Sequence, residues 1–142
     1  MADTHEMPEP ELHAMIAEYM EKGFLENIQD MFRHDPSLWR SLALLIADER
    51  SRVRIGAVIL VEDLKIDPVQ MEGFIEAIPS IAEVLAGHAG PTMRGDAAFL
   101  LATIGHPDAL PHLKAALGAE GSPAVREAIA DAMADIAAGV GD

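Results

Sequence analysis

"MRGDAAFLLATIG", residues 93–105, repeats the grammar of "VRIGAVILVEDL", residues 53–64, and the comparison decides the fold. In each stretch an arginine preceded by an apolar residue opens a run whose apolar positions recur every three or four residues, the spacing of one helix face. Aligning Arg54 with Arg94 sets Ala57 over Ala97, Leu60 over Leu100, Val61 over Leu101 and Leu64 over Ile104. A third copy starts at Arg126, with Ile129, Ala132, Met133 and Ile136 in the same columns. Directly before the arginines stand Val53, Met93 and Val125, and nine positions before them Leu45, Leu85 and Leu117. The downstream columns share a face about 100° wide. The upstream leucine lies beyond a loop, so the repeating unit is a pair of helices. One pair alone leaves its apolar stripe in water, whereas stacked pairs share a continuous core.

Punctuation divides the rest of the chain in the same style. Pro8 and Pro10 introduce a stretch with Leu12, Met15, Ile16, Tyr19 and Met20 on one face, closed by Gly23. A second stretch carries Phe24, Leu25, Ile28, Met31 and Phe32. Asp35-Pro36, Asp67-Pro68 and Ser122-Pro123 each place a capping side chain before a proline at the first helical position. The third helix is expected to run from Pro36 to about Glu49, and the fourth to begin at a Ser51 cap and fade at "LKIDP". The fifth should run from Pro68 to about Ala86, kinked or split at Pro79, which lacks a backbone donor. The sixth ends at Gly105, the seventh is "PDALPHLKAAL" before Gly118, and the eighth spans Ser122 to about Ala138. No alternating strand pattern competes. The expected fold is therefore all-α: a right-handed α-α superhelix of about eight helices in four antiparallel pairs. It forms a single domain over 1–142, with residues 8–35 as an N-terminal capping pair and 36–138 as three stacked units. "REAIADAMADIA" is expected to cap the C-terminal end through Glu127, Asp131 and Asp135.

Composition agrees and narrows the function. Half of the 142 residues are hydrophobic, but only 4% are aromatic, so the core is aliphatic and built from helix formers. The formal charge of −14 is spread along the chain and repels phosphate backbones, which argues against nucleic acid as partner. The one local cluster of bases, Arg50, Arg52 and Arg54, stands beside Asp48 and Glu49. Without cysteine there is no disulfide, thiolate metal site or thiol nucleophile. The acidic N-terminus "MADTHEMPEPEL" does not read as a leader, and no apolar run reaches the ~18 residues of a membrane span, so a cytoplasmic protein without membrane contact is expected.

The pattern leucine, loop, Val-Arg, Ala, Leu, Ile with a proline in the first helix resembles HEAT repeats over roughly Pro36 to Ala138. The shorter last unit is similar to the phycobilin-lyase type of HEAT-like repeat. The resemblance implies a superhelix whose second helices line a concave face and hold another protein. The family usually carries an acid six positions before the arginine, contributing to a charged ladder between units. Here that column reads Asp48, His88, Glu120, so the middle unit departs from it.

Arg54, Arg94 and Arg126 are read as structural, since arginine buries its stem while its guanidinium reaches loop carbonyls or a neighbour's carboxylate. The other side of the second helices reads Ile55, Val58, Ile59, Glu62 and then Gly95, Ala98, Phe99, Ala102, so that both helices are apolar nearly all round, where a surface helix has a polar side. Either neighbouring helices bury this side, or it is an exposed groove for a partner helix. The candidate contact residues are Ile55, Val58, Ile59, Glu62, Phe99 and Ala102. The expected occupant is a protein, basic or presenting an amphipathic helix, with self-association as a further option. The six histidines show no ligand spacing, although loops could gather His88 and His106 with an acid. No nucleophile motif, phosphate loop or dinucleotide fingerprint is present. Neither catalytic residues, nor a metal, nor a cofactor are expected. The alternative that the resemblance brings is an accessory or lyase-type enzyme acting on a cofactor or chromophore carried by a partner.

Overall fold

The punctuation residues do what their chemistry requires. In the computed structural model, which describes residues 9–140, the first helix, α1 (Glu9–Glu21), ends at Gly23 with φ +90°. The Phe24 amide donates to the Tyr19 carbonyl at 2.8 Å and the Gly23 amide to that of Met20 at 3.1 Å. This double closure needs a left-handed residue, which glycine adopts without a Cβ penalty. Tyr19 and Phe24 then meet edge to face at 6.1 Å across the turn. Next comes α2 (Leu25–His34), after which the Asp35 carboxylate accepts from the Ser37 amide at 3.2 Å.

At this point the structure departs from the expected third helix. Residues Pro36–Ser41 form a tighter 3-10 turn, and only Leu42–Ile46, α3, is α-helical. The tight turn drives Trp39 between Phe32 and Phe74, each ring centroid 4.5 Å away. The buried indole donates to the Gln70 side-chain Oε1 at 2.7 Å, since a buried N–H must find a partner. The Ser51 cap also fails: Ser51 is the first residue of α4 (Ser51–Leu64), and the Asp48 carboxylate closes the loop instead by accepting from the Arg50 amide at 2.9 Å.

The fifth helix, α5 (Pro68–Gly87), is capped by Asp67, whose side chain accepts from the Val69 amide at 3.0 Å, and it passes through Pro79 without splitting. Then follow α6 (Pro91–Ile104), a short turn at Pro107–Ala109, α7 (Leu110–Ala119) and α8 (Pro123–Val140). Gly118 lies inside α7 rather than after it. Among the described residues there are eight α-helices and no strand, and the chain is an all-α helical repeat stack.

Helices α3, α5 and α7 form one layer, and α4, α6 and α8 the other: α3 packs on α4, α5 on α6 and α7 on α8, while α6 touches both α4 and α8. The columns aligned above point into the seam between layers. Ala57, Leu60, Val61, Ala97, Leu100, Leu101 and Ile129 are fully buried, as are Leu45 and, nearly so, Leu85. Burial of each such side chain contributes about 1.5–3 kcal/mol. The N-terminal pair sits against α4, with Met20 over Gly56 and the Arg52 guanidinium donating to the Glu21 carbonyl at 2.9 Å.

The C-terminal end corrects a further expectation. Asp131 and Asp135 do not cover the outer end of the stack; they line the groove between α8 and α6. A shallow hollow on α7 and α8 is lined instead by Leu110, Pro111, Lys114, Met133, Ala134 and Ala137. The helical angle explains the swap, because the column that a following unit would seal is the one holding Met133, and the two aspartates lie well around the helix from it. Leu117 and Met133 are accordingly only half-buried, while their counterparts Leu45, Leu85, Val61 and Leu101 are inaccessible.

Candidate functional site: a grooved face on the second helices

The three repeat arginines hold the loop carbonyls of their own units, and two of them also reach the next unit. Arg54 donates to the carbonyls of Asp48 (2.8 Å) and Glu49 (2.9 Å), and its Nε to the Asp96 carboxylate at 2.7 Å. Arg94 repeats the arrangement on the carbonyls of His88 (2.8 Å) and Ala89 (3.2 Å) and grips Glu120 through two bonds of 2.9 and 3.0 Å. Arg126 binds the carbonyls of Leu117 (2.7 Å) and Glu120 (3.1 Å). In the first two units the carboxylate comes from the following unit, so each arginine ties its own loop to its neighbour.

The departing histidine is explained by a second job of its column. Asp48, His88 and Glu120 each accept from the backbone amide two positions on, at 2.9, 2.8 and 3.0 Å. The His88 Nδ1 preserves that loop closure but offers no carboxylate, and Asp96, eight residues later on α6, serves Arg54 in its place. The Arg94 bonds hold the Glu120 carboxyl below the ordinary carboxylate range and push the guanidinium up. The bonded Arg50 guanidinium lowers the Asp48 carboxyl, against the opposing effect of its partial burial. The base cluster Arg50, Arg52 and Arg54 is thus spent on Asp48, the Glu21 carbonyl and Asp96.

The opposite face of these helices stays open. Ile55 is 58% exposed and Phe99 57%, Val58, Ile59 and Ala102 are half-buried, and Glu62 is exposed. Ala98 alone is sealed, under the neighbouring unit. The N-terminal pair does not cover this face, because it approaches α4 from the Gly56 side. Two hollows meet at Phe99 and Asp96. One, of about 320 Å³, is lined by Ile46, Arg54, Ile55, Val58 and Ile59. The other, of about 660 Å³, lies between α6 and α8, floored by Gly95, Ala102, Ala128 and Ala132 and edged by Asp131 and Asp135. Sequence reasoning placed the apolar side of α4 and α6 but missed the α8 contribution. The signal was the Asp131, Asp135 spacing, which reads equally well as a solvated helix face.

Among the described residues no three His, Asp or Glu side chains gather as for a metal ion. His106 accepts from the Asp108 amide at 3.1 Å and His88 from that of Gly90, both local loop closures. No helix among the described residues is long and apolar enough to cross a membrane.

Residues 78–139 match the family model for HEAT repeats, a stretch running from the second half of α5 to the end of α8. The unit around α3 and α4 falls outside the match, and it is the unit whose first helix is reduced to five residues. No curated protein and no solved structure matches the chain.

Proposed function

We propose that this chain, whose residues 78–139 belong to the HEAT-repeat family, is a non-catalytic adaptor that holds another protein against the face formed by α4, α6 and α8. In this reading residues 8–35 are an N-terminal cap and residues 36–138 the three units that present the face. HEAT repeats in general mediate contacts between proteins. The observation that carries the reading here is the paired exposure of Ile55 and Phe99 on two adjacent helices, over hollows that the other described residues leave unfilled. Large apolar side chains in a contiguous exposed patch mark interaction surfaces more often than isolated ones do. In this reading Arg54 and Arg94 take no part in contact, since their guanidinium groups are already bonded to carbonyls and carboxylates within the stack.

The test exploits the separation of face from core. Phe99→Asp places a charge on a side chain that is already mostly in water, so the variant should fold with a melting temperature close to that of the parent. Co-purification from the native cell, parent against Phe99→Asp, should show a protein that the variant fails to retain. A variant that retains every protein the parent retains would end the adaptor reading at this face, and a variant that unfolds would show Phe99 to be core.

A further inference from the structure

We infer that the occupant of this face is a segment of a partner protein that carries an apolar anchor followed by two cationic residues, laid from α4 across α6 towards α8. The inference deepens the adaptor reading and rests on it. Its basis is the unequal chemistry of the two hollows. The hollow next to α4 is walled by Ile46, Ile55, Val58 and Ile59, and its one cation, Arg54, is spent on carbonyls and Asp96. The hollow next to α8 contains no Lys or Arg, and Asp131 and Asp135 stand at its edge.

These two aspartates are four residues apart on one helix, are both exposed, and have no ionic or hydrogen-bonding partner among the described residues. Like charges at that spacing cost a helix a few tenths of a kcal/mol. The other acids near the units' loops are bonded: Asp48 to Arg50, Asp96 to Arg54 and Glu120 to Arg94. Other exposed acids, such as Glu62, Glu72 and Glu127, also lack a side-chain partner among the described residues, but Asp131 and Asp135 are the two unpaired ones that line this hollow. A chain of net charge −14 adds a long-range field that draws a cationic segment and repels a second copy of itself. Phe99, between the hollows, divides apolar from acidic ground and so sets the direction in which the segment lies.

The experiment is selection of a random-peptide display library on three proteins: the parent, the Asp131→Asn/Asp135→Asn double variant and Phe99→Ser. Thermal melts of each come first, and the double variant should melt at or above the parent's temperature because a like-charge pair has been removed. Peptides enriched on the parent should place Lys or Arg beside an apolar residue. They should bind the double variant about tenfold more weakly and weaken with added salt, and they should be lost on Phe99→Ser. Enriched peptides without cations that still need Phe99 would overturn the charge assignment while leaving the adaptor reading standing. Peptides indifferent to both variants, or no enrichment at all, would sink both. Concentration-dependent self-association abolished by Phe99→Ser would replace the partner segment with a second copy and equally overturn the inference.

Discussion

Arg54 shows how one side chain joins levels of structure. Its stem is buried beside α4 while its guanidinium holds two loop carbonyls and a carboxylate of the next unit. Arg54→Ala should lower unfolding free energy by about 2–3 kcal/mol, most of it from carbonyls left without a donor, because the Asp96 carboxylate is part-exposed and regains water. A urea melt measures this, and a loss under half a kcal/mol would show the bonds to be ornamental. Gly73 makes a similar point by omission: a Cβ there would overlap the buried Trp39 indole and crowd the Pro36 carbonyl. Gly73→Ala should therefore destabilise despite the helix propensity it adds, with Trp39 fluorescence shifting to the red as the ring is displaced. Acid acts on Glu120 and Asp48 in one direction. Both carboxyls are lowered in the folded state, so their stabilisation is complete above the ordinary carboxylate range and is lost as pH falls through their depressed values. Glu120→Gln should flatten the stability curve on the acid side, and an unchanged slope would refute the Arg94 pairing.

At the scale of elements, a column means different things in different units. Leu101 and Met133 occupy the same position of the repeat, but Leu101, on α6 against α8, is inaccessible while Met133, on α8, is half-buried among the described residues. Leu101→Ala should cost about 2–5 kcal/mol as a buried cavity, and Met133→Ala about 1 kcal/mol or less. Calorimetry or denaturant melts of the two variants check the contrast; equal costs would mean that the C-terminal end is covered. The existence and order of the helices were readable from proline, glycine and capping residues because those signals act within a turn of the chain. The third helix was misjudged for the opposite reason. Its 3-10 start depends on Trp39 finding Phe32, Phe74 and Gln70, and two of those four residues lie more than thirty positions away in the chain.

For the whole molecule, the dominant unbalanced quantity is charge. With −14 spread over 142 residues and its arginines already committed, self-repulsion opposes the compact state. Added sodium chloride should therefore raise the melting temperature through screening, and a fall would show that the internal ion pairs outweigh the repulsion. The same field acts over the grooved face, where the proposed partner segment carries cations.

Local chemistry along the chain was enough to determine that this protein is a stack of helix pairs: a period of three and four residues, a recurring arginine, and proline and glycine at the joints. The recurring arginine also carried the expectation that a guanidinium among apolar columns seeks carbonyls, and all three guanidinium groups bond loop carbonyls. What only the tertiary structure decided was which apolar residues remain in water and which acids stay unpaired. Ile55 and Ala98 read alike on a helical wheel, yet Ala98 is buried and Ile55 exposed. Asp96 and Asp131 read alike as surface acids, yet one serves Arg54 and the other faces an open hollow. Exposure and pairing depend on what a neighbouring helix places opposite, and that neighbour lies tens of residues away, beyond the reach of any local pattern.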